Sequence, residues 1–295
     1  MSTLTLPNGI QISAPAGSRT ELEFIYRELF EEHCYERHCI QLRANAVILD
    51  VGANVGLFAL RMKQLATRAK IYCFEPAPPT HECLVKNVAR LQDVYPFRFA
   101  LSDRAGSLEL TYYPHAPGNS TLYPQAKPSE VRAMANGATL RWLWSINKLA
   151  GASLTALYPL RRLVLRRSFE RLLRRPKAFA CLTKTLDQVI GEHALTTIDL
   201  LKIDVEGAEK DVMSGLSDAN LMGVRQLIIE VSPARKPWLP TLEHRLQKCG
   251  FEHVELGSML QSDNPRTDAF PCVVYARRIE SLGSRREVST RETAG

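Results

Sequence analysis

Apolar and polar positions alternate along this chain with two different periods, and these periods predict its secondary structure. From residue 46 onward, short apolar runs typical of buried strands are followed by segments whose apolar residues recur at helical spacing. Strands are predicted at AVILDV, KIYCFE, FRFALS, TIDLLKIDV, VRQLIIEVS, FEHVELG and FPCVVYA. Regular alternation of strand and helix indicates an α/β fold, with a parallel sheet between two layers of helices.

The N-terminal residues follow another pattern. TLPNGIQI predicts a β-hairpin in which Asn8 and Gly9 supply the positive φ angles of a tight turn. The next apolar residues recur at helical spacing within ELEFIYRELFEEH, and those on one side are Leu22, Ile25, Tyr26 and Leu29. We therefore predict that residues 1–45 form a cap, made of a hairpin and a helix, on the α/β domain.

The alternation is interrupted over residues 114–178 and resumes with ACLTKTLDQVI. SLELTYY, just before the interruption, predicts an added edge strand. The interrupted part begins with Pro, Gly, Asn and Ser and continues with helix-forming, basic sequence, so we interpret it as a helical insert. The chain is thus divided into the cap 1–45, the α/β domain 46–280 with its insert, and a polar tail 281–295 predicted to be disordered.

Composition narrows the class of protein. The chain has 295 residues, of which 45% are hydrophobic and 23% charged, so a large core is available. Its seven cysteines are scattered and include no CxxC pair, which predicts neither a zinc site nor a disulfide framework. The N-terminus lacks the features of a signal peptide, and no apolar run is long enough to cross a bilayer. We therefore expect a reduced, cytoplasmic protein without a transmembrane segment.

The positive charge of the chain is concentrated in one stretch. The formal net charge is +7, and residues 161–177, here called the basic segment, hold eight basic residues and one acidic residue. Such a segment favours an acidic partner, a nucleic acid or a membrane surface. Its leucines and arginines do not separate cleanly onto two faces, as a membrane-surface helix requires. Trp142 and Trp144 are not interleaved with the arginines, so we do not expect nucleic-acid binding. Two short helices packed on the body, with arginines outward, fit the pattern better.

The first strand ends in a glycine-containing turn that indicates a nucleotide site. The turn reads Asp50-Val51-Gly52-Ala53-Asn54-Val55-Gly56. A P-loop requires Lys-Ser or Lys-Thr after its second glycine, whereas Leu57 and Phe58 stand there. A dinucleotide fingerprint is GxGxxG, and this turn lacks the middle glycine that lets the backbone approach a pyrophosphate. The alternative is that both glycines serve only a tight turn and close helix packing.

Glu75, at the end of the second predicted strand, adds a second indication. It lies nineteen residues beyond Gly56, where a carboxylate accepts hydrogen bonds from both hydroxyls of an adenosine ribose. A ribose site without a pyrophosphate site fits S-adenosylmethionine better than NAD. Together with Asp50, this placement favours a cofactor site over a turn with no ligand.

Seven motifs in this order resemble the FkbM family of S-adenosylmethionine-dependent methyltransferases. They are VILDVGANVGLFAL, YCFEPAPPTHECLVKNV, FALSDRAGSLEL, GNSTLY, TLDQVI, LLKIDVEGAEKDVMSGL and LIIEVS, and they cover most of residues 46–231 outside the insert. The resemblance implies a class I methyltransferase fold, with a Rossmann-like, mostly parallel sheet of seven strands whose last strand is antiparallel.

The same resemblance implies roles for several residues. The turn from Asp50 through Gly52 and Asn54 to Gly56 is expected to approach the methionine part of the cofactor. Glu75 is expected to bind the ribose. Ser102 and Asp103, just past the third strand, are expected near the adenine edge.

Methyl transfer to an alcohol is helped by a base that removes the proton of the nucleophile. Asp204 and Glu206 follow the strand LLKIDV, and both carboxylates point to one side if the strand continues through them. Alternatively, Asp204 orients the cofactor amine and Glu206 caps the next helix. Glu230, at the end of the following strand, is a third carboxylate at the same edge and a candidate substrate contact. Three carboxylates can hold a divalent metal, but no evident histidine or further aspartate joins them, so we predict no metal site.

The loop YYPHAPGNST lies on the same side of the predicted sheet and contributes further candidates. His115 is a candidate general base, although a loop histidine is more often only solvated. Asn119 and Ser120 are candidate contacts to cofactor or substrate.

Three functional hypotheses follow. The first is O-methylation of a hydroxyl on a small natural product of polyketide or peptide type, or on its carrier-bound precursor. The second is methylation of a sugar or of nitrogen on the same scaffold. The third is a nucleotide-binding interaction module without turnover, which the carboxylates disfavour. For Arg161–Lys177, the hypotheses are docking of an acidic acyl-carrier domain or its phosphopantetheine arm, or a solvated lid face.

Overall fold

The computed structural model describes residues 1–37, 40–134, 161–258 and 271–278. In chain order, its strands are β1 Ser2–Thr5, β2 Gln11–Ala14, β3 Val47–Val51, β4 Lys70–Phe74, β5 Val94–Phe97, β6 Ala100–Leu101, β7 Gly106–Tyr112, β8 Lys177–Lys184, β9 Leu200–Ile203, β10 Gln226–Val231, β11 His253–Ser258 and β12 Cys272–Arg277. Its α-helices are α1 Arg19–Tyr26, α2 Cys34–Arg37, α3 Leu57–Leu65, α4 Pro78–Val88, α5 Lys127–Met134, α6 Arg161–Leu172, α7 Leu186–Glu192, α8 Glu209–Ser214, α9 Asp218–Leu221 and α10 Leu239–Lys248.

A seven-stranded sheet forms the centre of the fold. Its strand order is β11-β12-β10-β9-β3-β4-β5. The strands β10, β9, β3, β4 and β5 are parallel, whereas β12 is antiparallel to both of its neighbours. This topology confirms the predicted class I methyltransferase sheet. The order of connection reverses between β3 and β9, and in such sheets ligands bind beyond the carboxyl ends of the strands at that point.

Both faces of the central sheet are buried. Neighbouring residues of one strand show this, because their side chains point to opposite faces. Leu49 belongs to one core cluster, together with Val189 of α7 and Leu242 of α10. Ile48, its neighbour in sequence, belongs to a second cluster with Leu22 of α1. Helices therefore flank both faces as predicted, and the N-terminal residues cover the second face.

The N-terminal hairpin forms as predicted, but its turn differs. β1 and β2 are antiparallel, and Gly9 has a φ of +83°, whereas Asn8 is not among the residues with positive φ. The Gly9 N–H donates to Leu6 O at 2.9 Å, which places Pro7 at the second position of the turn. Proline fixes φ near about −65°. The predicted turn, with positive φ at both Asn8 and Gly9, is therefore wrong. The central residues of the turn are Pro7 and Asn8 instead of Asn8 and Gly9, and Pro7 has a negative φ.

The predicted amphipathic helix is α1, continued by a π-helical turn at Arg27–Glu31. Leu22, Tyr26 and Leu29 are buried in the second core cluster, and Ile25 is half-buried against it. The apolar side predicted from the sequence is therefore the side that docks on the sheet.

The region after β4 departs from the predicted strands. FRFALS was predicted as one strand, but β5 ends at Phe97 and β6 belongs to a separate three-stranded sheet of order β6-β8-β7. β7, predicted as an added edge strand, is an edge strand of this three-stranded sheet and pairs antiparallel with β8. The partner β8 follows the insert in sequence, so the periodicity before the insert contained no sign of this pairing.

The basic segment also differs from the expectation. It forms one helix, α6, rather than two short ones, since no proline or glycine interrupts Arg161–Leu172. Leu163, Val164 and Leu172 are exposed, so these side chains are not packed on the body. The predicted tail 281–295 and the residues Trp142 and Trp144 lie outside the described residues. None of the helices in the described ranges combines the length and apolarity that crossing a bilayer requires.

Candidate active site

Three neighbouring strands place polar side chains at the carboxyl end of the sheet, on the face covered by the cap. Asp50 of β3 follows Ile48 by two positions, Lys202 of β9 follows Leu200, and Glu230 of β10 follows Ile228; all three apolar partners belong to the second core cluster. The strand period of two therefore carries Asp50, Lys202 and Glu230 onto this face. We call Asp50, Lys202, Asp204 and Glu230 the acidic edge.

Lys202 lies at the centre of the acidic edge and was missed by the sequence analysis. Its Nζ is 3.3 Å from both Asp50 Oδ1 and Asp204 Oδ2 and 5.3 Å from the centroid of the Phe58 ring. The two carboxylates raise the pKa of Lys202 although its burial opposes this. The available signal was a lysine inside an apolar strand that must be buried, because such a residue requires a charged partner.

Asp50 is completely buried beneath the glycine turn. Burial raises the pKa of its carboxyl, and Lys202 acts in the opposite direction. Among the described residues, no donor reaches Asp50 Oδ2. The residue predicted to approach the cofactor thus holds Lys202 and keeps one unused acceptor oxygen.

The two glycines of the turn are required by the backbone itself. Gly52 has a φ of +86°, and a Cβ there would lie 1.7 Å from Asp204 O. Gly56 has a φ of +92°, and a Cβ there would lie 2.8 Å from Leu84 Cδ1. The tight turn with close packing, which the sequence left as an alternative, therefore accounts for both glycines. Their smallness also brings the turn against the loop that carries Asp204.

Glu75 follows β4 and contacts the same turn. Its Oε2 accepts from the Asn54 N–H at 3.0 Å, and its Oε1 accepts from the Ala77 N–H at 2.9 Å. Burial raises the pKa of Glu75 to about 7, although both hydrogen bonds lower it. Each oxygen keeps a second lone pair, so the carboxylate retains capacity for two hydroxyl donors.

The cap brings two more carboxylates to the site, and both were missed. Glu21 Oε1 accepts from Asn54 Nδ2 at 3.2 Å and from the Gly118 N–H at 2.8 Å. Burial raises the pKa of Glu21 to about 7 and, with the charges of Asp204 and Glu32, raises that of Glu28 to about 8. Glu21 and Glu28 are seven positions apart in the helical pattern, which places them on one side next to the buried leucines.

Asp204 and Glu206 do not share a strand. β9 ends at Ile203, and Glu206 has a φ of +53° in the loop that follows. The predicted strand geometry is therefore wrong, and so is the predicted helix cap. Glu206 Oε2 accepts from Lys127 Nζ at 2.5 Å, while Glu209 accepts the Gly207 N–H at 2.7 Å near the start of α8.

The first part of the insert holds this loop in place. Lys127 is buried and contacts Glu206 and, at 3.2 Å, Glu130. The Thr121 hydroxyl donates to Glu206 O at 2.6 Å. Lys127 is 79 residues away from Glu206 in sequence, so no local pattern joins the two.

Glu230 is half-buried on the acidic edge. Burial and the neighbouring charges of Asp204, Glu206 and Glu28 raise the pKa of its carboxyl well above the usual value. Within the described ranges, no group of three or more His, Cys, Asp or Glu side chains has an arrangement that fits a metal ion. The acidic edge therefore has more carboxyl groups than cations.

The loop with His115 divides into two parts. His115 is exposed, and its Nδ1 lies 3.5 Å from where a Cβ of Gly17 would be. The 3₁₀ turn Pro117–Asn119 instead faces the site, since its Gly118 N–H reaches Glu21. Ser120 Oγ accepts from the Tyr113 N–H at 3.2 Å, so this hydroxyl holds the loop.

The hydrogen bonds of Ser102 and Asp103 are made with residues outside the glycine turn and not with Glu75. The Ser102 N–H donates to Lys184 O at 2.9 Å, and its hydroxyl donates to Asp103 Oδ1 at 3.2 Å. The Asp103 side chain is about half exposed. Their proximity to an adenine remains a prediction.

The site fits the cofactor that the sequence predicted. Glu75 offers acceptors for ribose hydroxyls, and Asp50, Asn54 and Glu21 each have a buried oxygen that no donor reaches among the described residues. An excess of carboxyl groups favours a positively charged ligand. S-adenosylmethionine carries a sulfonium and an ammonium, together with a nucleoside whose ribose donates hydrogen bonds.

Comparison with known proteins agrees with this chemistry. A family model described as "Methyltransferase FkbM domain" matches residues 182–261. The chain is 35% identical to the AMB antimetabolite synthetase AmbE of Pseudomonas aeruginosa over 94% of its own length, but it spans only 13% of that relative. It is 34% identical to methyltransferase sdnD of Sordaria araneosa, covering 82% of the chain and 86% of the relative.

A third relative is the 31-O-demethyl-FK506 methyltransferase FkbM of Streptomyces tacrolimicus. The identity is 33%, and the match covers 78% of the chain and 82% of the relative. With this similarity over most of the length of two relatives, the chain belongs to the FkbM family of S-adenosylmethionine-dependent methyltransferases.

Proposed function

We propose that this enzyme methylates a hydroxyl group of a small natural product or of its carrier-bound precursor. The observation that carries the proposal is the acidic edge, where carboxyl groups capable of accepting a proton lie beside the glycine turn and Glu75. The relative named 31-O-demethyl-FK506 methyltransferase supports oxygen as the acceptor atom. The similarity to a segment of an antimetabolite synthetase supports a small natural product as the acceptor.

In this proposal, Glu75 binds the cofactor ribose, and the backbone around Gly52 and Asn54 faces its amino-acid part. The bound cofactor supplies a methyl group on a sulfonium, and the protein has to align the acceptor and take its proton. Asp204 is our candidate for the base, because its side chain is 34% exposed beside the turn and it is paired with Lys202. Glu206 is engaged by Lys127, which suits a positioning role, and Glu230 is the candidate contact to the substrate.

His115 is less suited to be the base. It is exposed and lies beside Gly17, whereas the carboxylates of the acidic edge lie beneath the cap. Asn119 remains a candidate substrate contact, because its turn faces Glu21.

The test is production of S-adenosylhomocysteine with a panel of acceptors. Hydroxyl compounds, free and as carrier-bound thioesters, are compared with sugars and amines. We expect turnover with a hydroxyl acceptor and a fall in kcat of about 10²- to 10⁴-fold for Asp204→Asn, as for loss of a general base. Glu23→Gln, an exposed change on α1, is the control. Turnover only on sugars or amines, or cofactor binding without any turnover, would contradict the proposal.

We also propose that the basic segment docks an acidic acyl-carrier domain. Arg166, Arg167, Arg174 and Arg175 are exposed, as are Leu163, Val164 and Leu172 of α6, a mixture that suits a protein partner. Changing these four arginines to glutamate should remove any preference for carrier-bound over free substrate. Changing them to lysine, which keeps the charge, is the matched control. An unchanged preference in the glutamate variant would refute docking at this segment.

A further inference from the structure

Two side chains at the junction of the cap and the glycine turn have unused acceptor atoms. Glu21 Oε1 and Asn54 Nδ2 are joined by a hydrogen bond of 3.2 Å. Among the described residues, no donor reaches the other oxygen of either group, Glu21 Oε2 or Asn54 Oδ1, although both are buried. A buried acceptor without a donor is costly, so such atoms are expected to have a partner in the working state.

The missing partner has to be a donor. Both unused atoms are acceptors. Asp204 and Glu206 are the neighbouring charges acting on Glu21, and both are negative. A group with several N–H donors and a positive charge satisfies these conditions together, as a primary ammonium does.

The position of Asn54 indicates which ammonium this is. Its backbone N–H donates to Glu75, the residue at the ribose site, while its side chain contacts Glu21. Asn54 therefore connects the ribose end of the site to Glu21. In S-adenosylmethionine, the amino-acid part extends from the ribose through the sulfur, and it ends in an ammonium and a carboxylate.

We infer that Glu21, supplied by the N-terminal cap, binds the ammonium group of the cofactor together with Asn54. This inference rests on the S-adenosylmethionine-dependent reaction proposed above. The Gly118 N–H holds Glu21 Oε1 at 2.8 Å, and a Cβ on Gly118 would lie 2.5 Å from that oxygen. The 3₁₀ turn and Asn54 thus hold the same oxygen of Glu21.

Cofactor binding should therefore be coupled to the protonation of Glu21. Burial and the charges of Glu206 and Asp204 raise the pKa of Glu21 to about 7, against the hydrogen bonds from Asn54 and Gly118. A protonated Glu21 can donate to an acceptor, whereas an ammonium requires the carboxylate. Cofactor binding at pH 6 should therefore release a proton from Glu21, and this release should disappear in Glu21→Gln.

The test compares two ligands that differ in the amino-acid part. S-adenosylhomocysteine has the ammonium, whereas 5′-methylthioadenosine has the same nucleoside and a thioether but no amino acid. Calorimetric titration should show that Glu21→Gln lowers the affinity for S-adenosylhomocysteine about 10- to 100-fold, as expected for a lost charged hydrogen bond. Binding of 5′-methylthioadenosine should change less than about twofold. Glu23→Gln, on the exposed side of the same helix, should affect neither ligand.

The outcomes separate this inference from the proposed function. Equal weakening of both ligands, or unchanged affinity for S-adenosylhomocysteine, would overturn the role of Glu21. Glu75→Gln should weaken both ligands, and failure of the wild type to bind either one would overturn the cofactor site itself. If Glu21→Gln does not fold, Glu21→Asp keeps the charge and shortens its reach. Glu21→Asp should lower the affinity for S-adenosylhomocysteine but not for 5′-methylthioadenosine. An affinity for S-adenosylhomocysteine equal to that of the wild type would overturn the inference.

Discussion

The acidic edge and the basic segment are both strongly charged, but they differ in their contact with water. Lys202 lies 3.3 Å from Asp50 with both side chains nearly inaccessible, whereas Arg166 lies 2.6 Å from Glu170 with both side chains about half exposed. Removing one partner of the shorter, exposed pair is expected to cost less stability than removing one partner of the buried pair, because water solvates the charge that remains. Burial, rather than distance, decides which charges can shift pKa values and support chemistry.

The difference also separates the roles of the two regions. In the acidic edge, a charge without a partner is costly, so its members hold each other in place. In the basic segment, each charge is solvated, and its effect is a summed field that attracts a partner. The following predictions test this contrast, beginning with the largest expected effect.

Replacing Lys202 by methionine should destabilise the protein by about 3–5 kcal/mol, as observed when one partner of a buried ion pair is removed. Asp50 and Asp204 would lose their shared cation. Urea denaturation near pH 8 measures the effect. Lys184→Met is the control, since Lys184 pairs with Glu192 at an exposed position. A cost below about 1 kcal/mol, typical of a surface pair, would contradict the contrast.

Replacing Glu75 by glutamine should make the ligand-free protein less sensitive to pH. Glu75 has its pKa raised from 4.5 to about 7, so the folded state holds its proton more tightly than the unfolded state. This contribution is complete below pH 4.5 and is lost as the pH rises to about 7. Between pH 5 and 8, the variant should lose less stability than the wild type by a difference on the order of 3 kcal/mol.

Urea denaturation at both pH values tests this prediction, and Glu82→Gln, at an exposed position of α4, is the control. The same Glu75→Gln variant should bind S-adenosylmethionine more weakly. An identical pH slope in wild type and variant would show that Glu75 does not carry this linkage.

Replacing Lys127 by methionine should cost about 1–3 kcal/mol, because Glu206 loses the donor that satisfies its buried carboxylate. The start of the insert should also become more accessible, which limited proteolysis would detect. Lys86→Met removes an exposed lysine of similar size and serves as the control. Equal proteolysis rates in the two variants would mean that Lys127 does not anchor the insert.

The coupling between Arg166 and Glu170 should be only about 0.3–0.5 kcal/mol in a double-mutant cycle, as for exposed helix pairs. It should decrease in high salt, because exposed charges are screened. A salt-independent coupling above about 1.5 kcal/mol would show that this pair behaves like the buried one.

Much of the site could be predicted from the sequence because each of its motifs consists of residues that are close together in the chain. The glycine turn, Glu75 and Asp204 each follow an apolar strand, and parallel strands carry their carboxyl ends to one edge. Lys202 could have been recognised as a charge within a buried strand. Glu21 could have been recognised as an acidic residue beside the apolar side of a helix. Neither pattern names its partner, so the sequence alone did not connect them to the cofactor site.

Other features had no local signal. β8 pairs with β7 across the insert, and the period of each strand is the same whichever sheet it joins. The conformation of Glu206 depends on Thr121 and Lys127, 85 and 79 residues away. These contacts determine whether two carboxylates that are close in sequence point to the same place.

The sequence by itself determined most strands of the central sheet, the glycine turn and the family, because periodicity, turn chemistry and motifs depend on neighbouring residues. Only the tertiary structure decided which charges are buried together. Lys202 meets Asp50 across 152 positions, and Glu21 meets Asn54 across 33. The physical reason is that desolvation acts on a group through everything packed around it, and the packing around these groups comes from distant parts of the chain.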